Sequence, residues 1–168
     1  MDYIAYYQNP LGWATIQSDG DFINSISCLD TETHKPLANP SDLPKVILEA
    51  IKQLDEYFAG KRINFDFPIQ QKGTDFQQGV WKNLLDIPFG KTISYLELSR
   101  RIGDEKAIRA VGTTNGKNKL WIVVPCHRVI GSDGSLTGYS GGLWRKKWLL
   151  EHERKCSGQP VVEQLSMF

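Results

Sequence analysis

Apolar and polar positions alternate over the first 28 residues in short runs broken by turn-forming residues. Tyr3-Ile4-Ala5-Tyr6-Tyr7 stops at Asn9-Pro10, Leu11 to Gln17 stops at Ser18-Asp19-Gly20-Asp21, and Phe22 to Cys28 follows. Short runs rich in aromatic and β-branched residues predict strands, and turns this tight predict an antiparallel sheet. The third run is imperfect: Phe22, Ile26 and Cys28 share a face with Asn24, while Ile23 falls on the other. The period then changes. After the polar stretch Thr31 to Pro40, Leu43, Ile47, Ile51, Leu54 and Phe58 recur at helical spacing. Ser41 is the expected N-cap, Pro44 is tolerated in the first turn, and Gly60 is the stop. Such a helix can cover one face of the sheet.

Pro68 to Gly73 reads as a linker, and the pattern beyond it becomes helical with tight breaks. Thr74-Asp75-Phe76-Gln77 and Ser94-Tyr95-Leu96-Glu97 are two capping boxes. The first opens a helix with Phe76, Val80, Trp81, Leu84 and Leu85 on one stripe, and Ile87-Pro88-Phe89-Gly90 breaks it. A further helix is predicted over Lys106 to Thr113, between Gly103-Asp104 and Asn115-Gly116. Short helices joined by tight breaks fit a helix-turn-helix. Leu120-Trp121-Ile122-Val123-Val124 is a continuous apolar run, predicted as a buried strand or extended segment. Gly131, Gly134, Gly138, Gly141 and Gly142 make a shaped loop, without the lysine pattern of a phosphate loop. Leu143 to Arg154 closes the chain as a helix. The expected fold class is α+β. An antiparallel-sheet-plus-helix domain (1–72) precedes a helical, winged-helix-like domain (73–155), and 156–168 is a loosely held tail.

Composition adds little, with 40% hydrophobic and 23% charged residues and a net charge of +1. Its distribution adds more. Residues 1–72 carry 6 Lys+Arg against 10 Asp+Glu, whereas 73–168 carry 14 against 9. An acidic front and a basic back suggest that the second half meets a polyanion. The N-terminus lacks a basic region followed by an apolar run, and no stretch is long enough to span a bilayer. A cytoplasmic protein without a membrane role is expected. Cys28, Cys126 and Cys156 are odd in number and widely spaced, with no CxxC pair, so neither a disulfide framework nor a metal site is expected.

Cys126 has neighbours that suit chemistry. It follows Pro125 and precedes His127 and Arg128. A thiol is nucleophilic as thiolate, nearby positive charge favours that form, and a base can take its proton. Neighbours in sequence need not face each other, however, and a free cysteine is often only a small buried hydrophobe. The local residues leave both readings open.

A wider resemblance divides them. Ile122 to Gly131, with Pro125-Cys126-His127-Arg128 at its centre, is similar to the active-site segment of the O6-alkylguanine-DNA alkyltransferases. Phe76-Gln77 with Val80-Trp81, Ile87 to Gly90, Ser94-Tyr95, Arg109-Ala110-Val111-Gly112 and Tyr139-Ser140-Gly141-Gly142 resemble that family too, in order and near its spacing. The resemblance runs from about Gly73 to Glu153, and is fainter over residues 1–72.

The resemblance implies a repair protein that moves an alkyl group from O6-alkylguanine in duplex DNA, with O4-alkylthymine as a further candidate, onto its own cysteine, once and irreversibly. It implies that Cys126 attacks, that His127 takes the thiol proton through a water, and that Glu153 orients His127. Tyr95 would assist the departing base and Asn118 would brace the active-site turn. Val129, Tyr139 and Ser140 would line the pocket. Arg109 would fill the stack vacated by a flipped base, with small Ala110 and Gly112 letting the helix approach the minor groove. Thr74 and Arg128 would also meet DNA. A monomer is implied, with no cofactor. Two positions depart from the family's habit: Lys119 follows Asn118 where proline is frequent, and Thr114 stands where a smaller residue is common. The first bears on the rigidity of the turn, the second on the fit to DNA.

Overall fold

A computed structural model describes residues 2–29, 37–136, 139 and 141–158. The chain divides into two compact units: Met1–Gln71 with Lys119–Trp121, and Lys72–Asn118 with Ile122–Phe168. The class is α+β. Among the described residues no helix is long and apolar enough to cross a membrane.

In the first unit, β1 (Tyr3–Asn9), β2 (Gly12–Ser18) and β3 (Ile23–Cys28) form an antiparallel sheet in that order. The partners Ala5 and Ile16, Tyr7 and Ala14, and Ile16 and Ile26 put one face of every strand into the core. The expected alternation of β3 fails because the register shifts where Gln17 pairs with Ser25 but Ser18 pairs with Ile23. This irregularity skips Asn24 and returns Ile23 to the inner face, fully buried, while Phe22 stays 37% exposed. The free edge of β1 is blocked by Asn39, whose amide accepts from Tyr6 N–H (2.7 Å) and donates to Tyr6 C=O (2.9 Å).

Helix α1 (Lys45–Phe58) starts after Pro44, not at Ser41, and has no side-chain cap. It buries Ile47, Ala50, Gln53, Leu54 and Tyr57, so Ile51 and Phe58 flank the stripe. Tyr7 Oη donates to Asp55 Oδ1 at 2.7 Å and ties β1 to this helix. The outer side of β3 is paired twice. Ile23 bridges to Ile69 and Ile26 to Leu120, both in parallel. Ile26 N–H donates to Lys119 C=O (2.8 Å) and Trp121 N–H to Ile26 C=O (3.1 Å).

That pairing limits the apolar run at 120–124. All five residues are buried, but only Leu120 pairs; Trp121 to Val123 form a turn with Ile122 at φ 71. The predicted strand is therefore a single bridge followed by a tight bend. A β-branched residue in the left-handed region is uncommon, and here the bend sends the chain towards Cys126.

In the second unit, α2 (Asp75–Leu85) has the full capping box: Gln77 N–H donates to Thr74 Oγ1 and Gln77 Oε1 accepts from Thr74 N–H. The short strand β4 (Ile93–Ser94) leads into α3 (Tyr95–Ile102). Only half of the second box forms. Ser94 Oγ accepts from Glu97 N–H, while the Glu97 carboxylate turns to Arg101 Nε at 3.0 Å. Gly103 ends α3 in the left-handed conformation (φ 97) that favours glycine. A 3-10 turn, Glu105–Ala107, then enters α4 (Ile108–Gly116), so the helix starts and ends later than predicted. The α3–turn–α4 pair is the helix-turn-helix, and Trp81 Nε1 of α2 donates to Thr114 C=O in α4 (3.2 Å). Strand β5 (Val129–Ile130) pairs in parallel with β4. Helix α5 (Leu143–Cys156) extends two residues past the predicted end, into the expected tail. Residues 159–168 lie outside the described residues.

Candidate active site

Residues 126–128 form a single 3-10 turn between Pro125 and β5. Its backbone is held tightly: Cys126 N–H donates to Val124 C=O (2.8 Å) and Arg128 N–H to Pro125 C=O (3.0 Å). Two asparagines at the end of α4 and just beyond it fix the same segment. Asn118 Nδ2 donates to Val124 C=O at 2.8 Å, and Asn115 Nδ2 to Cys126 C=O at 3.3 Å. Val129 N–H donates to the same Cys126 carbonyl.

The three side chains of the turn are buried, with Cys126 at 6%, His127 at 0% and Arg128 at 6% exposure. His127 Nε2 meets Glu153 Oε2 at 2.7 Å, deep in α5. Arg128 grips the same carboxylate twice, Nε to Oε1 at 2.7 Å and a terminal nitrogen to Oε2 at 3.1 Å. Its other terminal nitrogen donates to Ile87 C=O at 2.7 Å, and its guanidinium lies 5.7 Å from the Phe89 ring centre. Arg128 is therefore spent inside the protein, and the expectation that it meets DNA is corrected. A buried carboxylate needs its charge matched, and a bidentate arginine does so in the strongest geometry.

The electrostatics follow from this packing. Burial alone would raise the Glu153 carboxyl, but His127 and Arg128 outweigh it and hold it far below the usual carboxylate range. Burial pushes the His127 imidazole below its ordinary value, with the Glu153 charge opposing. His127 is thus neutral near pH 7. With Nε2–H given to Glu153, the lone pair falls on Nδ1, a buried atom with no hydrogen-bond partner among the described residues. Burial pushes the Cys126 thiol up, against hydrogen bonding from Asn118, the Lys146 charge and Tyr139.

The other expected site residues sort by exposure. Tyr95 opens α3, half-buried, with its ring 5.8 Å from Lys146 Nζ. Arg109 and Ala110 are exposed on α4 and Gly112 is half-exposed, while Val111, Thr114 and Asn115 form the buried side. Thr114 is only 5% exposed, so it faces the core and not the exposed side of α4. Thr74 is exposed, with its hydroxyl engaged as the cap of α2. Val129 is fully buried in β5. Ser140 lies outside the described residues. Lys119, in place of a proline, donates its N–H to Gln71 Oε1 at 3.1 Å, a bond that proline could not make.

Two residues escaped the sequence reading. In the sequence Asn115 marks a helix stop, yet it holds the cysteine carbonyl. Lys146 is fully buried on α5 beside Leu149, Leu150 and Glu153. A signal was present for the second: positions 146, 149, 150 and 153 form a helical stripe, apolar in its middle and ionisable at both ends.

Known proteins match along the whole length. Residues 75–155 match the family described as 6-O-methylguanine DNA methyltransferase, DNA binding domain, and residues 3–71 match its ribonuclease-like domain. The methylated-DNA–protein-cysteine methyltransferase of Mycobacterium bovis is 44% identical over 146 residues, covering 87% of this chain and 88% of that protein. The constitutive enzyme of that name from Bacillus subtilis is 41% identical over 160 residues, covering 92% and 96%. The crystal structure of Mycobacterium tuberculosis OGT in complex with DNA superposes with a TM-score of 0.82 at 42% identity, covering 99% of each chain.

Proposed function

The chain belongs to the 6-O-methylguanine DNA methyltransferase family, and from that premise we propose how its residues divide the work. It is a DNA repair protein that transfers alkyl groups from DNA to its own cysteine. Cys126 is the acceptor. The observation that carries this reading is the buried Cys126-His127-Glu153 arrangement, with Glu153 fixed on His127 Nε2 and Nδ1 left open.

The thiol of Cys126 gives its proton to His127 Nδ1 through a water, and Glu153 stabilises the imidazolium that results. The thiolate then attacks the alkyl carbon of O6-alkylguanine in line. The S–C bond forms as the C–O6 bond breaks, and the electron pair leaves with the guanine. Tyr95 gives the departing base a proton and recovers one from His127. The thioether is stable, so each molecule acts once. The raised thiol suits this role, because it keeps the sulfur protonated until a substrate is seated.

The target base must leave the duplex. Arg109 enters the vacated stack from the exposed face of α4, and Ala110 and Gly112 let that face lie against the minor groove, whose degenerate code suits a protein that must act in any sequence. Thr74 adds a contact at the start of α2, and Val129 and Tyr139 line the base pocket. The family resemblance supports a monomer. Its free cysteines support a reducing, cytoplasmic setting.

The test is a mass measurement after incubation with a duplex bearing O6-methylguanine. One methyl is expected on the peptide holding Cys126, at no more than one equivalent. Repeated turnover, or binding without an adduct, overturns the proposal.

A further inference from the structure

Lys146 is a fully buried ionisable side chain that takes no part in the steps above. Lysine is almost never fully buried unless it is paired, because desolvating an ammonium is costly. Its place on α5 is specific. The buried stripe Lys146, Leu149, Leu150 and Glu153 addresses the 126–128 turn at two points. The Glu153 end holds His127 and Arg128. The Lys146 end has its ammonium 5.8 Å from the Tyr95 ring centre, and its charge acts on both Cys126 and His127. The helix start is anchored there as well. Lys146 N–H donates to Gly142 C=O (3.3 Å) and Gly142 N–H to Tyr139 C=O (2.9 Å), so the turn that carries Tyr139 also sets Lys146.

We propose that Lys146 is an electrostatic positioning residue for alkyl transfer, whose ammonium stabilises the Cys126 thiolate and the negative charge that passes from the sulfur to the leaving base. The inference rests on Cys126 being the acceptor. Lys146 contributes no atom to the balance: the thiol proton goes to His127, the S–C bond replaces the C–O6 bond, and the base leaves with the pair and takes its proton from Tyr95. One negative charge is present throughout, and it moves. A cation beside both Cys126 and Tyr95 is near the start and the end of that movement. Fixed in a site that excludes water, it needs no reorganisation as the charge shifts.

The groups around it are consistent with this use. Tyr95 faces Lys146 from α3, and Cys126 and His127 face it from the turn; Cys126 also meets Asn118 and Tyr139, and His127 also meets Glu153 and Arg128. Burial brings the Lys146 ammonium down to about 8, and the Cys126 charge opposes the fall. Each charge favours the ionised form of the other.

Lys146→Met and Lys146→Arg separate this role from a structural one. Replacing a buried charge by an apolar side chain of similar length often leaves stability unchanged or higher. A structural lysine would therefore give a sound Met variant with an unmoved thiol. The inference expects a folded Met variant in which alkylation of Cys126 by iodoacetamide, followed against pH by peptide mass, starts about one pH unit or more higher. The rate at pH 7 falls about tenfold or more, and methyl transfer from the duplex falls with it. Lys146→Arg restores most of the profile. A folded Met variant with the wild-type profile overturns the inference. Should the Met variant not fold, the Lys146 titration is followed by NMR in the wild-type protein and in Cys126→Ala. The midpoint falls in Cys126→Ala if the two groups are coupled, and an unmoved midpoint overturns the inference. A wild-type protein without a methyl on Cys126 defeats the acceptor assignment instead, so the two failures are distinct.

Discussion

Arg109 and Arg128 belong to opposite kinds of surface. Arg109 stands in the first turn of α4, exposed beside the exposed Ile108 and Ala110. Arg128 is buried, with Nε and both terminal nitrogens engaged by Glu153 or by Ile87 C=O. The sequence presents them alike, each a lone arginine next to small or apolar residues in a basic half. The difference lies in what comes back from elsewhere in the chain. Glu153 returns on α5 to neutralise Arg128, whereas Arg109 has no hydrogen bond or ion pair among the described residues. One face of this unit is closed and rigid and holds the reacting groups; the other is open and free to meet a polyanion.

Breaking the closed side has the largest expected effect. Arg128→Ala leaves Glu153 buried beside His127 without its guanidinium, and loss of one partner of a buried pair costs about 3–5 kcal/mol. Denaturant unfolding at pH 7 should show that loss, together with a collapse of methyl transfer. A change no larger than that of a surface substitution would mean that the pair is not what closes this face. The same series against pH checks the charge states. Glu153 is depressed in the folded protein, so its contribution is present above the ordinary carboxylate value of 4.5 and is lost as pH falls below it. His127 is depressed below 6.5, so the unfolded chain takes up its proton first and stability falls as pH drops through that value. Both act in one direction: wild-type stability declines on acidification, beginning near pH 6.5 and steepening below 4.5.

Arg109→Ala tests the open side. Its stability should match the wild type, because the side chain is exposed. Repair in duplex DNA should slow about tenfold or more, since filling the vacated stack offsets an unstacking cost of a few kcal/mol. Reaction with free O6-benzylguanine, which needs no flipping, should be unchanged. Equal losses on both substrates would place Arg109 in the chemistry and erase the contrast with Arg128.

Local signals were legible wherever one segment decides its own structure. The Thr74 box, the Gly103 stop and the β1–β2 turn belong to this class. The signals failed where a distant segment decides. Ile23 is core because a skipped residue re-phases β3, and the run 120–124 bends because only Leu120 finds a partner. Nothing local marks Thr114 as part of the buried side of α4, where Trp81 donates to its carbonyl. The site divides in the same way. Cys126 and His127 are adjacent and stood out, and the family resemblance supplied Glu153, Tyr95 and Asn118. Lys146 and Asn115 depend on helix faces that no short motif marks. Lys119 departs from the family's proline, and its N–H has a use that proline would remove.

The smallest expected effect lies at the border between the two sides, at Gly112. It sits inside α4, half-exposed, between buried Val111 and exposed Thr113. A methyl added there would come to 3.9 Å from the Tyr95 ring, an ordinary contact that displaces nothing. Gly112→Ala should therefore raise stability by about 0.5–1 kcal/mol, because glycine is the costlier residue in a helix interior. If the closed side alone mattered, a more stable protein with an undisturbed Tyr95 would repair duplex and free base at wild-type rates. The open side predicts otherwise: the methyl also stands at the edge of the face that approaches the groove, so duplex repair slows modestly while the reaction with free O6-benzylguanine holds. Wild-type rates on both substrates, measured side by side with unfolding, would show that the small residues of α4 serve packing and not approach to DNA. The contrast would then rest on Arg109 alone.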